Sequence, residues 1–235
     1  MQKRIALVTG GNRGIGLETC RQLARLGFTV LLTARDPNKG NMAVNKLVNK
    51  EGLDVIFYLL DVTNTDHIRA ISKQVEQQYG SLNVLINNAA ILYDTWQRAI
   101  DTDLEVVNQA MVTNVYGPWR LCQAFIPIMR RNGYGRIINI SSLGGSLHCM
   151  QEGSTPAYSI SKAALNVLTR KLAAELQGTG ILVNSIDPGW LATDMGGPGG
   201  GSVKEGIRGI LWAATLPDDG PSGGFFNNEG KPMPW

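Results

Sequence analysis

The sequence has few of the residues that form metal centres and disulfide bonds. It contains three cysteines, Cys20, Cys122 and Cys149, and two histidines, His67 and His148, among 235 residues. The cysteines lie far apart and none belongs to a Cys-x-x-Cys pair, which indicates reduced thiols in a cytoplasmic protein and no metal site. With so few histidines, a catalytic triad or zinc centre built on histidine is also poorly supplied.

Strong charge of one sign and long apolar runs are missing as well. The formal net charge is +3 without a long basic run, so we expect no nucleic-acid partner. No stretch approaches the ~20 apolar residues that span a membrane. The run from Ile5 to Val8 is too short for a signal peptide, so we expect no membrane partner either. Hydrophobic residues make up 43% of the chain and charged residues 17%, which is typical of a globular protein.

Short apolar segments alternate with helical patterns along the whole chain. The segments predicted as strands are residues 4–9, 29–34, 55–60, 82–86, 135–140, 181–186 and 223–226. Helical patterns occupy residues 15–26, 39–50, 65–79, 102–131, 157–177 and 203–214, with a bend predicted at Gly117-Pro118. This alternation predicts one α/β domain over residues 1–235, a doubly wound, Rossmann-like parallel sheet of about seven strands with helices on both faces. Ligands of such sheets bind at the carboxyl ends of the strands.

A glycine-rich turn follows the first predicted strand and precedes the first helix. Glycines permit positive φ and let backbone N–H groups approach a pyrophosphate at the helix N-terminus. Strand, turn and helix in this order predict nucleotide binding. The candidate cofactor residues of the turn are Gly10, Asn12, Arg13, Gly14, Ile15 and Gly16.

The residues after the second strand, Arg35 and Asp36, bear on the choice between NAD and NADP. An acid at this place favours a free ribose 2′-hydroxyl, whereas an arginine accommodates a 2′-phosphate. Because Arg13 offers a second guanidinium group, we favour Arg35 as the reader of the ribose and NADP as the cofactor. In the alternative, Asp36 reads the ribose of NAD.

Tyr158 and Lys162 are the candidate chemical groups. Residues four apart share one face of a helix, and a cation held close to a phenol is expected to lower its pKa toward neutrality, as general acid/base work requires. The strand before them ends in Ser141-Ser142, which offers a hydroxyl beside the phenol. Asn114 lies inside a predicted helix, where asparagine is unfavourable, and this indicates a polar task.

Other residues at the same predicted edge have two interpretations each. Asp61 either accepts a hydrogen bond from an adenine amino group or caps a turn. The buried asparagines Asn87 and Asn88 can tie strands together, and the small Ala89 and Ala90 leave space for a flat ring. The glycine-rich run 196–201 predicts a mobile lid over residues 190–204, or else a plain surface loop. Apolar and aromatic side chains near this edge suggest a hydrophobic ligand; they are Tyr93, Trp96, Leu143, His148, Met150, Trp190 and Met195.

The motifs of this chain are jointly specific: Thr9-Gly10-x-x-x-Gly14-x-Gly16, Asp61, Asn87-Asn88-Ala89, Asn114, Ser142, Tyr158-x-x-x-Lys162 and Pro188-Gly189. With them the chain resembles the short-chain dehydrogenase/reductase family over essentially its whole length. Within the family it is similar to NADPH-dependent carbonyl reductases, which reduce a ketone or aldehyde to an alcohol.

The resemblance implies a role for each matched residue. Tyr158 would protonate the carbonyl oxygen, Ser142 would polarise it, and Lys162 would lower the pKa of the tyrosine and hold the nicotinamide ribose. Asn114 would bind a relay water through its backbone. The resemblance also implies cofactor contacts beyond the glycine-rich turn and Arg35, from Asp61, Val62, Asn88, Ala89, Tyr158, Lys162, Pro188, Gly189 and Thr193.

Two departures from the family pattern affect the expectations. Ala90 stands where the family usually has glycine, and its methyl group is tolerable but adds bulk near the cofactor. The segment from Ser142 to Tyr158 lacks the long insertion of monomeric animal carbonyl reductases. The helices at 102–131 and 157–177 are therefore expected to be free to form a homodimer or homotetramer.

Two other functions remain as alternatives. A 3-oxoacyl-[acyl-carrier-protein] reductase would use the same catalytic residues, with Arg130-Arg131 as the only candidate docking patch. An NADP-sensing protein without turnover would usually have lost the tyrosine or the lysine, and this chain retains both.

Overall fold

The computed structural model describes residues 3–91, 93–150 and 153–235. In this part of the chain seven strands form one parallel sheet in the order β3-β2-β1-β4-β5-β6-β7. The strands are β1 (Ile5–Val8), β2 (Thr29–Ala34), β3 (Val55–Leu59), β4 (Val84–Asn87), β5 (Gly135–Ile140), β6 (Ile181–Ile186) and β7 (Phe225–Phe226). The order reverses between β1 and β4, which is where ligands bind in open α/β sheets. The predicted fold class is confirmed.

Helices cover both faces of the sheet. They are α1 (Gly14–Arg25), α2 (Pro37–Glu51), α3 (Thr65–Tyr79), α4 (Leu104–Met111), α5 (Gly117–Arg131), α6 (Pro156–Glu175), α7 (Val203–Gly206) and α8 (Arg208–Ala214). One buried core lies between the sheet and α3, α5 and α6, with Phe125 and Leu165 among its members. The other lies between the sheet and α1, α2 and α8, around Leu23, Leu47 and Ile210. Since both faces are covered, the strands are apolar on both sides.

The long helix predicted over residues 102–131 begins at Leu104 and is interrupted directly before the predicted bend at Gly117-Pro118. A π-helical turn, Val112–Tyr116, joins α4 to α5 and contains the buried Asn114. Single π turns insert one extra residue and are frequent at functional sites. Gly117 is closely surrounded: a Cβ at this position would lie 3.0 Å from the Cβ of Val62, so Val62 would have to move slightly.

Polar side chains tie the sheet to α6 within the apolar core. Asn87 Nδ2 donates to Asn139 Oδ1 at 2.8 Å, which links β4 to β5 as the sequence suggested. Asn139 Nδ2 donates to Thr169 Oγ1 of α6 at 2.8 Å, and Thr169 Oγ1 lies 2.8 Å from Ser185 Oγ of β6. Because buried polar atoms are costly when unpaired, this series of hydrogen bonds fixes α6 in one position on the sheet.

Replacing Asn139, which lies at the centre of this series of hydrogen bonds, will destabilise the fold. Asn139→Ala removes the partners of two buried groups, and we expect it to lower the free energy of unfolding by about 2–3 kcal/mol. Urea unfolding measures the loss. The control is Asn45→Ala on the exposed face of α2, which should change stability by less than about 0.5 kcal/mol. Equal free energies of unfolding for the two variants would contradict the role assigned to these hydrogen bonds.

Candidate active site

The candidate residues converge on the carboxyl edge of the sheet. The glycine-rich turn follows β1, Arg35 follows β2, Asp61 follows β3, Asn88 follows β4 and Ser142 follows β5. Pro188 and Gly189 follow β6 in the same way. Parallel strands end on one side, so residues spread over the sequence meet along one crevice.

The glycine-rich turn is held by side chains from β1 and from the end of β4. Asn88 Nδ2 donates to the carbonyl oxygens of Thr9 at 2.8 Å and Gly10 at 3.2 Å. Thr9 Oγ1 accepts from the N–H groups of Asn88 and Ala89, both at 2.9 Å. A Cβ on Gly16 would lie 2.3 Å from the Gly10 oxygen, so only glycine allows α1 to come this close. The result is a narrow cradle at a helix N-terminus, which suits a pyrophosphate.

Three groups lie near the expected 2′-phosphate site, and they differ in the hydrogen bonds and ion pairs that they form. Asp36 uses its carboxylate to cap α2, accepting from the N–H groups of Asn38 at 2.9 Å and Lys39 at 3.2 Å. Arg35 is exposed and forms no ion pair within the described ranges. Arg13 donates from Nη1 to Asp194 at 2.5 Å, with both side chains mostly exposed. An acid that caps a helix is a weaker ribose partner, and the free guanidinium of Arg35 suits a phosphate.

Asp61 and Val62 lie where the sequence placed them. Asp61 Oδ1 accepts from the Thr63 N–H at 2.9 Å and the Thr63 hydroxyl at 2.8 Å, which is the turn-capping alternative. Val62 packs against α5 at Gly117. This turn forms the wall of the crevice beyond β3.

Tyr158 is buried near the start of α6, and its surroundings favour the protonated phenol. Burial raises the pKa of Tyr158 above its ordinary value, and the nearby Asp187 carboxylate and Tyr93 raise it further. A hydrogen bond with the Ser142 side chain acts in the opposite direction and is outweighed. The expectation that this pKa is lowered toward neutrality is therefore wrong, because desolvation outweighs the influence that lowers it.

Lys162 is buried beneath Tyr158. Its Nζ donates to the Ile140 carbonyl oxygen at 2.7 Å and lies 5.3 Å from the centre of the Tyr158 ring. Burial lowers the pKa of Lys162 to about 8, and the Asp187 carboxylate partly opposes this. A buried ammonium group is costly, so this lysine loses its proton far more readily than an exposed one.

Asp187 is a site residue that the sequence analysis did not single out. It follows β6, it is 9% exposed, and its Oδ1 accepts from the Gly189 N–H at 3.0 Å. Burial raises the pKa of Asp187, while hydrogen bonds from the Gly189 and Leu143 backbone and the charge of Lys162 lower it. A carboxylate directly after a buried strand at the ligand edge was the signal available in the sequence.

The Asn114 side chain makes three hydrogen bonds. Its Oδ1 accepts from the Ile91 N–H at 2.9 Å, and its Nδ2 donates to the Ile91 oxygen at 3.1 Å and to Ser161 Oγ at 3.0 Å. These bonds join the π turn, the segment after β4 and α6. The sequence indicated a polar role for Asn114, and these hydrogen bonds give it a structural one.

The candidate substrate-pocket residues differ in their contacts and in their exposure. The Tyr93 ring meets the Tyr158 ring edge to face, with 5.3 Å between the centroids. Leu143 directly follows Ser142 and is 47% exposed. Trp96 is 68% exposed, and His148 donates its backbone N–H to the Trp235 oxygen at 3.1 Å. The remaining three, Met150, Trp190 and Met195, are partly or largely exposed.

The segment predicted as a lid folds back on itself and reaches the glycine-rich turn. Trp190 Nε1 donates to the Gly196 oxygen at 2.7 Å, and the Gly201 N–H donates to the Trp190 oxygen at 2.9 Å. Thr193 Cγ2 is 3.4 Å from the position of a Cβ on Gly14. Together with the Arg13–Asp194 pair, this places the segment over the cofactor cradle. Its mobility stays a prediction.

Comparison with known proteins agrees with this geometry. A family model described as short chain dehydrogenase matches residues 4–199. The chain belongs to the short chain dehydrogenase family. It is 34% identical to (+)-neomenthol dehydrogenase of Arabidopsis thaliana over 96% of each chain. It is also 34% identical to carbonyl reductase (NADPH) 1 of Oryctolagus cuniculus over 95% of each chain. The NADPH-bound carbonyl reductase from chicken fatty liver superposes with a TM-score of 0.89, at 35% identity and full coverage of both chains.

Neither a cluster of metal ligands nor a membrane-spanning helix occurs in the described part of this short chain dehydrogenase. Within residues 3–91, 93–150 and 153–235, no three or more His, Cys, Asp and Glu side chains are grouped to hold a metal ion. No helix in the same ranges has the length and apolar character needed to cross a bilayer.

The buried lysine should lower stability at neutral pH. Below pH 8 the folded enzyme holds a buried ammonium, whereas between about pH 8 and ~10.4 the unfolded chain binds more protons, so wild-type stability rises with pH. Lys162→Met removes this penalty and one hydrogen bond. We expect it to raise the free energy of unfolding at pH 7 by about 2 kcal/mol, a gain that shrinks toward pH 10, while turnover is lost.

Urea unfolding of the cofactor-free protein at pH 7 and pH 10 measures this effect. Lys46→Met, at an exposed position of α2, is the matched control and should show no such pH dependence. A Lys162→Met variant that is less stable than wild type at pH 7 would show that burial is not the dominant influence on this lysine.

Proposed function

We propose that Tyr158, Ser142 and Lys162 perform the chemistry of an NADPH-dependent carbonyl reductase, which converts a ketone or aldehyde into an alcohol. The observation that carries this proposal is the buried Tyr158 phenol beside the Ser142 side chain, with the Nζ atom of the buried Lys162 lying 5.3 Å from the centre of the ring. The three groups lie beside a cradle suited to a dinucleotide. The names of the relatives, which include carbonyl reductases, support the same activity.

In the proposed reaction NADPH supplies the hydride for the carbonyl carbon. The Tyr158 O–H donates its proton to the carbonyl oxygen as the alcohol forms. A raised pKa keeps this proton in place across neutral pH, which suits an acid in the direction of reduction. The Ser142 hydroxyl donates a hydrogen bond to the same oxygen and stabilises the charge that develops there.

The cofactor is proposed to lie along the carboxyl edge of the sheet. The glycine-rich turn would hold the pyrophosphate and Arg35 the 2′-phosphate, while Asp61 and Val62 would lie at the adenine. Asn88, Ala89, Lys162, Pro188, Gly189 and Thr193 would lie toward the nicotinamide ribose and ring. Arg13 would join Arg35 at the phosphate only by giving up its bond to Asp194. A phosphate with two negative charges is the stronger partner for it.

The substrate is proposed to be a small hydrophobic carbonyl compound. Tyr93 and Leu143 flank the phenol and serine, and Trp190 and Met195 belong to the proposed lid. Apolar walls with few polar groups favour such a ligand.

The two alternatives are less well supported. Arg131 forms an ion pair with Glu76, and Arg130 donates to the Glu175 oxygen at 3.5 Å, so these arginines form no free patch for an acyl carrier protein. A sensor without turnover has no need of a serine, tyrosine and lysine in this arrangement.

We also propose a homodimer or homotetramer in the cytoplasm. Trp119 of α5 and Val167 of α6 are 45% and 60% exposed, and a shallow groove between these helices is lined by Ile126 and Leu172. These exposed apolar side chains, with Gln123, Arg130 and Glu175 beside them in the groove, support a subunit contact on this face. The cysteines of the described chain are unpaired, as is usual in a reducing compartment.

Cofactor titration tests the phosphate site. We expect wild type to bind NADPH much more tightly than NADH, and Arg35→Ala to weaken NADPH about 10–100-fold without affecting NADH, because a charged hydrogen bond to phosphate is lost. Arg69→Ala, an exposed arginine of α3 paired with Asp66, is the control. If NADH binds wild type as tightly as NADPH, Asp36 reads the ribose instead.

The pH profile of reduction tests the role of Tyr158. The Asp187 carboxylate raises the pKa of Tyr158, so Asp187→Asn lowers that pKa. Reduction requires the protonated phenol, and its loss as pH rises will therefore begin at a lower pH in the variant. The Asp187 carboxylate also raises the pKa of Lys162. Asp187→Asn therefore lowers that pKa too, so protonated Lys162 is lost at a lower pH and the profile shifts in the same direction. The measurement is kcat/KM from pH 6 to 11 for wild type and Asp187→Asn, with Tyr158→Phe as the inactive reference. An alkaline limb that stays in place, or moves up, contradicts the assignment.

A further inference from the structure

The segment from Tyr93 to Arg98 lies across the start of α6, the helix that carries Tyr158. Arg98 forms an antiparallel bridge with Ser154, just before the helix. The Tyr93 ring meets the Tyr158 ring. Between these contacts, the Asp94 carboxylate accepts from the Ala157 N–H at 2.9 Å and from the Tyr158 N–H at 3.0 Å. We call residues 93–98 the strap.

The helix needs this carboxylate because its own first residues cannot cap it. Thr155 has φ 54°, the only positive φ of a non-glycine residue in the described ranges, and its side chain makes no capping hydrogen bond. A normal N-cap requires an extended backbone. Pro156 has no N–H, so Ala157 and Tyr158 carry the first free donors of α6. Asp94 takes both, one with each oxygen.

Asp94 differs from the other helix caps of this protein. Asp36, Asn64 and Asp103 lie directly before the helices that they cap, so they act within one local turn. Asp94 comes 63 and 64 residues before its partners and is fully buried, with 0% exposure. A buried carboxylate at the positive end of a 20-residue helix, with two charge-assisted bonds, holds that end firmly. It therefore fixes α6 relative to a distant segment.

We propose that Asp94 is a positioning residue, which sets the place of the Tyr158 phenol by holding the main chain of that tyrosine against the strap. This inference rests on the proposed function, in which Tyr158 is the proton donor. One of the two amides that Asp94 holds belongs to the tyrosine, so any shift of the cap moves the phenol directly.

The expected kinetic effect falls on turnover. Displacement of a reacting group by about 1 Å can cost on the order of 100-fold in rate. The glycine-rich turn and Arg35 have no contact with Asp94 among its hydrogen bonds, so NADPH affinity should be nearly unchanged. A variant that merely loses stability would instead keep normal kcat in its folded fraction.

The test compares Asp94→Ala and Asp94→Asn with a matched control. The control is Asn184→Ala, since Asn184 is also buried and also makes two hydrogen bonds to distant main chain, at Pro221 and Gly224. The measurements are kcat and KM for acetophenone, the Kd for NADPH, and the thermal unfolding midpoint. We expect Asp94→Ala to lose at least about 10-fold in kcat with the NADPH Kd within about 2-fold of wild type. Asp94→Asn retains one acceptor, so its kcat should lie between those of Asp94→Ala and wild type, and Asn184→Ala should lower the midpoint without lowering kcat.

The outcomes separate the inference from the function on which it rests. If Asp94→Ala keeps kcat within about 3-fold of Asn184→Ala, or loses kcat and NADPH binding together, Asp94 is only structural and the inference is overturned. If Asp94→Ala does not fold, a normal kcat in Asp94→Asn overturns the inference and a reduced kcat at unchanged NADPH affinity supports it. A Tyr158→Phe variant that retains turnover overturns the proposed function, and the inference with it, whatever the Asp94 variants show.

Discussion

Hydrogen bonds between α6 and the surrounding elements are the interactions on which the site depends. Ser161 accepts from Asn114, Lys162 donates to Ile140, Asn166 donates to the Gly145 oxygen at 3.1 Å, and Thr169 joins Asn139 to Ser185. These residues follow helical spacing along the buried side of α6. Van der Waals contacts alone tolerate sliding of one element past another, whereas buried hydrogen bonds permit one register. The same bonds that stabilise the fold therefore also place Tyr158 and Lys162.

Burial decides the electrostatics of the site more than charge pairing does. Desolvation is the largest influence on Tyr158, Lys162 and Asp187, and in each case it disfavours the ionised form. Burial therefore favours the protonated phenol of Tyr158, while it makes the ammonium form of Lys162 costly for the fold. Such costs are common where activity requires a charged group in a dry place. The cofactor would add further groups to this crevice.

The two sides of the crevice are linked to the site in different ways. On one side, the strap holds the helix of Tyr158 by buried hydrogen bonds. On the other, the segment around Thr193 meets the glycine-rich turn through an exposed ion pair between Arg13 and Asp194. Exposed ion pairs contribute little and exchange partners readily. The geometry therefore combines one side held by buried hydrogen bonds with another side held by an exposed ion pair.

The sequence by itself determined the order of strands and helices, the nucleotide turn and the Tyr158–Lys162 pair, because these depend on periodicity and spacing over a few residues. It also placed Ser142 and Arg35 at the carboxyl edge of the sheet, since the carboxyl ends of parallel strands all lie on one side. Only the tertiary structure decided which carboxylates join the site. Asp94 acts across the fold, and nothing in its neighbourhood in the sequence names its partners. The influence of Asp187 on Tyr158 and Lys162 likewise depends on the packed fold. The tertiary structure also decided the direction of the Tyr158 pKa and the π turn around Asn114. Both depend on burial and on contacts between distant segments, which exist only once the chain is packed.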